Sequence, residues 1–152
     1  MKLHPIFFVM GLIAALSSCQ TGNNETAQRT EAKTDSSASV ICYQYAANKD
    51  TIRLQLNQLG EIVSGTLLYS LYEKDRNQGT LTGTLKGDLL VADYTFLSEG
   101  VTSVRQVAFK RKDNGWVEGY GDVTVKNDTV FFQNVDSLQF NNSFELGKIV
   151  CW

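Results

Sequence analysis

From Val40 onward, apolar and polar residues alternate along short segments, and the segments are broken by Gly, Asn and Asp. A period of two marks half-buried strands, and no stretch carries the 3.6-residue period of a helix. The breaks fall near Asn48–Asp50, Leu59-Gly60, Glu73–Gln78, Gly87-Asp88, Glu99-Gly100 and Asn114-Gly115. Gly, Asn and Asp tolerate the positive φ of the tight turns that join antiparallel strands.

A two-residue turn fixes the register of the strands it joins, so facing pairs can be counted outward from it. A turn at Leu59-Gly60 sets Leu56 opposite Val63 and Ile52 opposite Leu67. One at Gly87-Asp88 sets Leu85 opposite Leu90 and Leu81 opposite Tyr94. Glu99-Gly100 sets Phe96 opposite Ser103, Tyr94 opposite Arg105 and Ala92 opposite Val107. Asn114-Gly115 sets Phe109 opposite Tyr120, Val107 opposite Asp122 and Arg105 opposite Thr124. The last three hairpins share strands and agree on one inner face: Leu81, Leu85, Leu90, Ala92, Tyr94, Phe96, Val107, Phe109 and Tyr120. Thr82, Thr84, Lys86, Asp93, Gln106, Lys110 and Lys112 fall on the other face. The expected fold is all-β: an antiparallel up-and-down meander of about eight strands, which loses its exposed edges by closing into a small barrel. Gly119 and Gly121 are expected where another segment approaches closely. Trp116, Tyr43, Tyr45, Tyr69 and Tyr72 are expected to be core or rim packing.

The first residues have a different pattern. Lys2 precedes an apolar run from Ile6 to Leu16, which is too short to span a bilayer (~20 residues are needed) and reads as the h-region of a signal peptide. Leu16-Ser17-Ser18-Cys19 follows it. This resembles the lipobox of bacterial lipoproteins. The resemblance implies a signal peptide over residues 1–18, cleavage before Cys19, and a lipid on that cysteine that holds the protein to an envelope membrane. Gln20 behind the cysteine implies, by the same likeness, the outer membrane facing the periplasm. Residues 20–39 hold no Ile, Leu, Val or aromatic side chain and are expected to be a flexible tether with an r.m.s. reach of ~25 Å. Residues 40–152 then form a single domain. Cys42 and Cys151 lie at its two ends, and in an oxidising compartment they are expected to pair.

Removing the leader changes the chemistry that is possible. His4 and Pro5 are the chain's only histidine and only proline, and both lie before Cys19. Without histidine a Ser-His-Asp or Cys-His catalytic pair is excluded, as is a histidine metal site. No glycine cluster sits between a strand and a helix to cradle phosphate. No catalytic residue, metal site or cofactor is expected. The loss of Lys2 leaves 13 Lys and Arg against 16 Asp and Glu, a net charge of −3 and too weak a field to imply nucleic acid.

The run Gly65-Thr66-Leu67, Gly79-Thr80-Leu81-Thr82-Gly83 and Asp93-Tyr94-Thr95-Phe96 resembles the short strands of streptavidin and lipocalin-type barrels, in architecture alone. Residues 92–100 with Ser103–Val107 resemble a segment of small envelope lipoproteins of the Bacteroidota, which implies compartment and fold and no activity. Asp50-Thr51-Ile52, Asp128-Thr129-Val130 and Asp136-Ser137-Leu138 resemble the O-glycosylation acceptor of that group. A turn aspartate leading into a strand gives the same pattern.

Arg105 is the residue that raises a question of function. The registers point it inward beside Tyr94 and Thr124, with Asp122 diagonal to it and Tyr120 nearby. A buried charge is costly unless paired. One reading is an anion anchor in a ligand cavity formed by Arg105, Asp122, Tyr94, Tyr120 and Thr124. The other is a silent Arg105–Asp122 pair. Two classes follow: a filled barrel that serves as a structural or interaction lipoprotein, and a hollow one that holds a small amphipathic or anionic ligand. Leu, Phe and Tyr on the inner face favour the filled barrel. An open cavity reaching Arg105 would favour the other.

Overall fold

The computed structural model describes residues 39–140 and 144–152. The leader, Cys19 and nearly all of the expected tether lie outside the described residues. The described chain is all-β. Strands β1 (Ser39–Ala47), β2 (Asp50–Leu59), β3 (Ile62–Ser70), β4 (Asn77–Lys86), β5 (Leu89–Ser98), β6 (Val101–Lys112) and β7 (Gly115–Gly119) run up and down in sequence. A short hairpin of β8 (Val123–Lys126) and β9 (Thr129–Phe132) follows, then a 3-10 turn at Val135–Ser137, and finally β10 (Glu145–Ile149). β10 inserts antiparallel between β7 and β1, and β5 pairs with β6, so eight strands close into a barrel with β8 and β9 outside it.

Two of the expected registers are found and two are shifted. The hairpins at Gly87-Asp88 and Glu99-Gly100 pair as counted, including Leu81 with Tyr94 and Tyr94 with Arg105. The β2–β3 turn is Gly60-Glu61, with Leu59 opposite Ile62 and Leu56 opposite Gly65. Gly60 takes the first central position with φ of 62°, where the tight hairpin turn needs glycine, as Gly87 does in its own hairpin. The β6–β7 turn is Asp113-Asn114, where Asp113 carries the positive φ of 49°. Gly115 is the first residue of β7. Its glycine answers a different need, since a side chain there would overlap the Leu146 carbonyl oxygen on β10. Each slip is two residues, so the inner face keeps its parity.

The second slip matters for the site. Phe109 faces Glu118, and β7 ends at Gly119 before reaching the level of Arg105. Arg105 therefore does not face Thr124. Its neighbour on that side is Val130 of β9, in a short parallel pairing. Asp122 and Thr124 are exposed. Thr124 pairs with Phe131 in the β8–β9 hairpin, and the Asp122 carbonyl accepts from the Gln133 amide at 2.8 Å. The expected Arg105–Asp122 pair is replaced by the arrangement described below.

The barrel interior is packed by Ile52, Leu54, Leu67, Leu81, Leu90, Phe109, Trp116 and Leu146, all fully buried. Inner-face glycines let the strands coil tightly enough to close: a methyl on Gly79 would overlap the Thr95 carbonyl oxygen. Gly119 and Gly121 lie under the returning segment. A methyl on Gly119 would overlap the Phe140 ring, and one on Gly121 would press on Leu138. At one end of the barrel lie the β2–β3, β4–β5 and β6–β7 turns and both ends of the described chain. There Cys42, at the β1–β10 seam, and Cys151 stand at disulfide distance, their Cα atoms 5.1 Å apart. The β1–β2, β3–β4 and β5–β6 turns and the chain leaving β7 frame the other end.

Candidate functional site

The framed end is open. A cavity of about 510 Å³ is lined by Tyr69 and Leu71 from the end of β3, Lys74 and Asp75 from the following turn, Asn77 of β4, Arg105 of β6, Glu118 of β7, and Tyr120 and Phe144. The filled barrel expected from the sequence is therefore filled over one half and hollow at the mouth.

Arg105 sits against an aromatic wall. Its guanidinium carbon lies 5.0 Å from the ring centre of Tyr69, 5.7 Å from Tyr94 and 5.8 Å from Phe96. Tyr94 and Phe96 are stacked at 4.7 Å, and Tyr69 meets Tyr94 edge-on at 5.9 Å. This follows from the register: Tyr94 faces Arg105 across β5–β6, and Phe96 is the next inner residue of β5. A planar cation gains from such faces, and more so where water is scarce. The Arg105 Nε is buried and hydrogen-bonds to no protein group, and among the described residues Arg105 has no acidic partner within 4 Å.

The acid near it is Glu118, which the sequence reading passed over. It is 3% exposed. The Tyr69 hydroxyl donates to one carboxylate oxygen at 2.6 Å and the Tyr120 hydroxyl to the other at 2.7 Å. Burial lifts the Glu118 carboxyl above its ordinary 4.5, while the two tyrosine bonds and the Arg105 charge pull it down without winning. The Tyr69 hydroxyl is pushed well above 10.0, first by burial and then by the Glu118 charge, with Arg105 opposing. Tyr94 is wholly buried, its hydroxyl bonds to no protein group, and burial pushes it up to about 12, against Arg105.

Of the five residues expected at the site, then, Arg105, Tyr94 and Tyr120 are together and Asp122 and Thr124 are not. Tyr69 of β3 and Glu118 of β7 join the first three, while Val130 stands where Thr124 was expected. The signal for Glu118 was present: it shares the inner parity of Trp116 and Tyr120.

A second, smaller cavity of about 240 Å³ opens on the other side of Arg105. It is lined by Gln106 and Val107 of β6, Gly119 and Gly121, and Val123, Val130 and Phe132 of the outer hairpin, together with Arg105, Glu118 and Tyr120. It exists because β7 stops at Gly119, and β9 pairs with β6 only at Val104 and Arg105. Among the described residues no three His, Cys, Asp or Glu side chains gather as a metal site would require, and no helix is long and apolar enough to cross a membrane. No known protein family, curated protein or solved structure matches the chain.

Proposed function

We propose that this protein is a non-catalytic, lipid-tethered envelope module that holds a small anionic or amphipathic ligand in the mouth of its barrel. The carrying observation is Arg105: a guanidinium on an aromatic wall, at the edge of a cavity of about 510 Å³, with no acid within 4 Å among the described residues. Arg105 is partly buried with its Nε wholly so, and a purely structural arginine there would be expected to come with an ion pair, because leaving such a charge unpaired is costly. The lipobox at Leu16–Cys19 supports the anchor, and Gln20 behind the cysteine supports, by the same likeness, an outer membrane facing the periplasm.

The test is native mass spectrometry of protein purified from its own envelope. A small molecule retained by the wild type and lost from Arg105→Gln is expected. Protein arriving empty in both forms would overturn the reading. For the anchor, fatty-acid labelling should mark the wild type and not Cys19→Ala, and equal label in both would remove it.

A docking role toward another envelope protein is the second reading. It is favoured by β8, the open edge of the sheet, whose Val123 and Val125 are exposed.

A further inference from the structure

We infer that the ligand is a single-chain carboxylic acid, with its carboxylate on Arg105 and its alkyl chain leaving the barrel sideways through the crevice between β6 and the β8–β9 hairpin. The inference rests on the ligand-binding reading above and names the ligand's chemistry.

Three observations carry it. First, the mouth and the side crevice share Arg105, Glu118 and Tyr120 as lining residues, so Arg105 borders both spaces. A ligand on Arg105 would lie beside both. Second, the two spaces differ in character. The mouth carries Lys74, Asp75 and Asn77 on its rim, and the crevice is walled by Val107, Val123, Val130 and Phe132. A head group suits the first, and an alkyl chain the second. Third, charge sets the head. In the mouth Arg105 and Lys74 are balanced by Glu118 and Asp75. One negative charge can be met by the guanidinium, whose paired N–H groups match the two oxygens of a carboxylate. A doubly charged phosphate would bring one more negative charge than a carboxylate into a mouth whose two cations are already matched by two acids.

The backbone makes room for the chain. Beyond Gly119 β7 no longer covers β6, and the barrel wall there is two residues of parallel pairing with β9. Gly119 and Gly121 present no side chain to that opening.

The experiment uses the chain from Gln20 to Trp152, which keeps the whole closed barrel with its own core and removes only the leader and Cys19. Decanoate, acetate, decanol and decyl phosphate are titrated by calorimetry against the wild type, Arg105→Gln and Val123→Asp. Val123 is half-exposed, so a charge there leaves the fold intact while placing a carboxylate in the crevice. The expected result is decanoate binding at least ten times tighter than acetate, decanol or decyl phosphate. Arg105→Gln should lose tenfold or more for decanoate and nothing for decanol. Val123→Asp should weaken decanoate severalfold and leave acetate unchanged.

Acetate binding as well as decanoate, with Val123→Asp silent, would overturn the tail route and leave an anion site standing. Decanol matching decanoate would overturn the head, and decyl phosphate binding more tightly would overturn the carboxylate. Binding of none of the four overturns this inference. The ligand-binding reading itself falls only if protein from its own envelope also arrives empty.

Discussion

The Tyr69–Glu118 hydrogen bond can be measured against a control built into the same wall. Tyr69→Phe removes one hydroxyl and leaves the ring. The lost bond is a 2.6 Å contact to a carboxylate that is 3% exposed, from a tyrosine that is 6% exposed. Hydrogen bonds to charged groups contribute ~1.5–3 kcal/mol, and here the loss falls at the upper end because Glu118 stays buried with one donor fewer. At this chain length that lowers Tm by roughly 5–15 °C. Tyr94→Phe makes the same chemical change 5.9 Å away, on a ring that packs edge-on against Tyr69. The Tyr94 hydroxyl has no protein partner, so its removal should leave stability within ~0.5 kcal/mol of wild type or raise it.

Urea unfolding at pH 7 of wild type, Tyr69→Phe, Tyr94→Phe, Glu118→Gln and the Tyr69→Phe/Glu118→Gln double variant gives the coupling directly. The two residues should be non-additive by about 1 kcal/mol or more. Equal effects of Tyr69→Phe and Tyr94→Phe, or simple additivity with Glu118→Gln, would refute the claim that Tyr69 holds the buried carboxylate.

Glu118 should also write itself into the pH dependence. Its folded pKa is raised above 4.5 by burial, so its contribution to stability is fully present below about pH 4.5 and is lost as pH rises through the folded value. Wild type minus Glu118→Gln should therefore fall with pH above 4.5 in urea midpoints, and a rising difference would reverse the assignment. Closing the Cys42–Cys151 pair links residues 109 apart, for which the chain-entropy model gives ~4.8 kcal/mol. Cys42→Ser with Cys151→Ser should lose a stability of that order, and no loss would show that the pair is not joined. Gly79→Ala drives a methyl into the Thr95 carbonyl and should cost at least ~2–3 kcal/mol, whereas Gly147→Ala, with open space around it, should be near neutral in the same thermal melts.

Closure and the inner face were legible because they depend on parity. Leu81, Leu85, Leu90, Ala92, Val107 and Phe109 are buried as the alternation requires, and a slip of two residues does not move them to the other face. The site was less legible because it depends on register. Asn114-Gly115 has the composition of a hairpin turn, yet Gly115 is glycine for the sake of Leu146 across the β7–β10 pair, a contact far away in sequence. Placing the turn one position late carried Asp122 and Thr124 toward Arg105 and hid Glu118. Nothing in local pattern announces that β7 will stop at Gly119. The parallel contact of Arg105 with Val130 is made after a reversal through β8, which turn counting cannot reach.

The early end of β7 also leaves one small barrel packed over one half and hollow at the mouth. Had β7 continued beside β6, its inner residues would have filled the space around Arg105, as Trp116 and Glu118 fill the levels below. Instead the chain leaves the barrel, and the same excursion brings Tyr120 back to Glu118 and lays Phe140 over Gly119. The fully buried apolar residues and the cysteine pair hold the closed half, and the polar groups stand at the mouth. Cohesion of the fold then rests mainly on residues that line neither cavity. A change at Lys74, Asp75 or Val123, all exposed, alters the lining of the cavities at little cost to folding. Under the ligand-binding proposal, ligand choice would drift through rim and crevice substitutions while Arg105, Tyr69 and Glu118 stay in place.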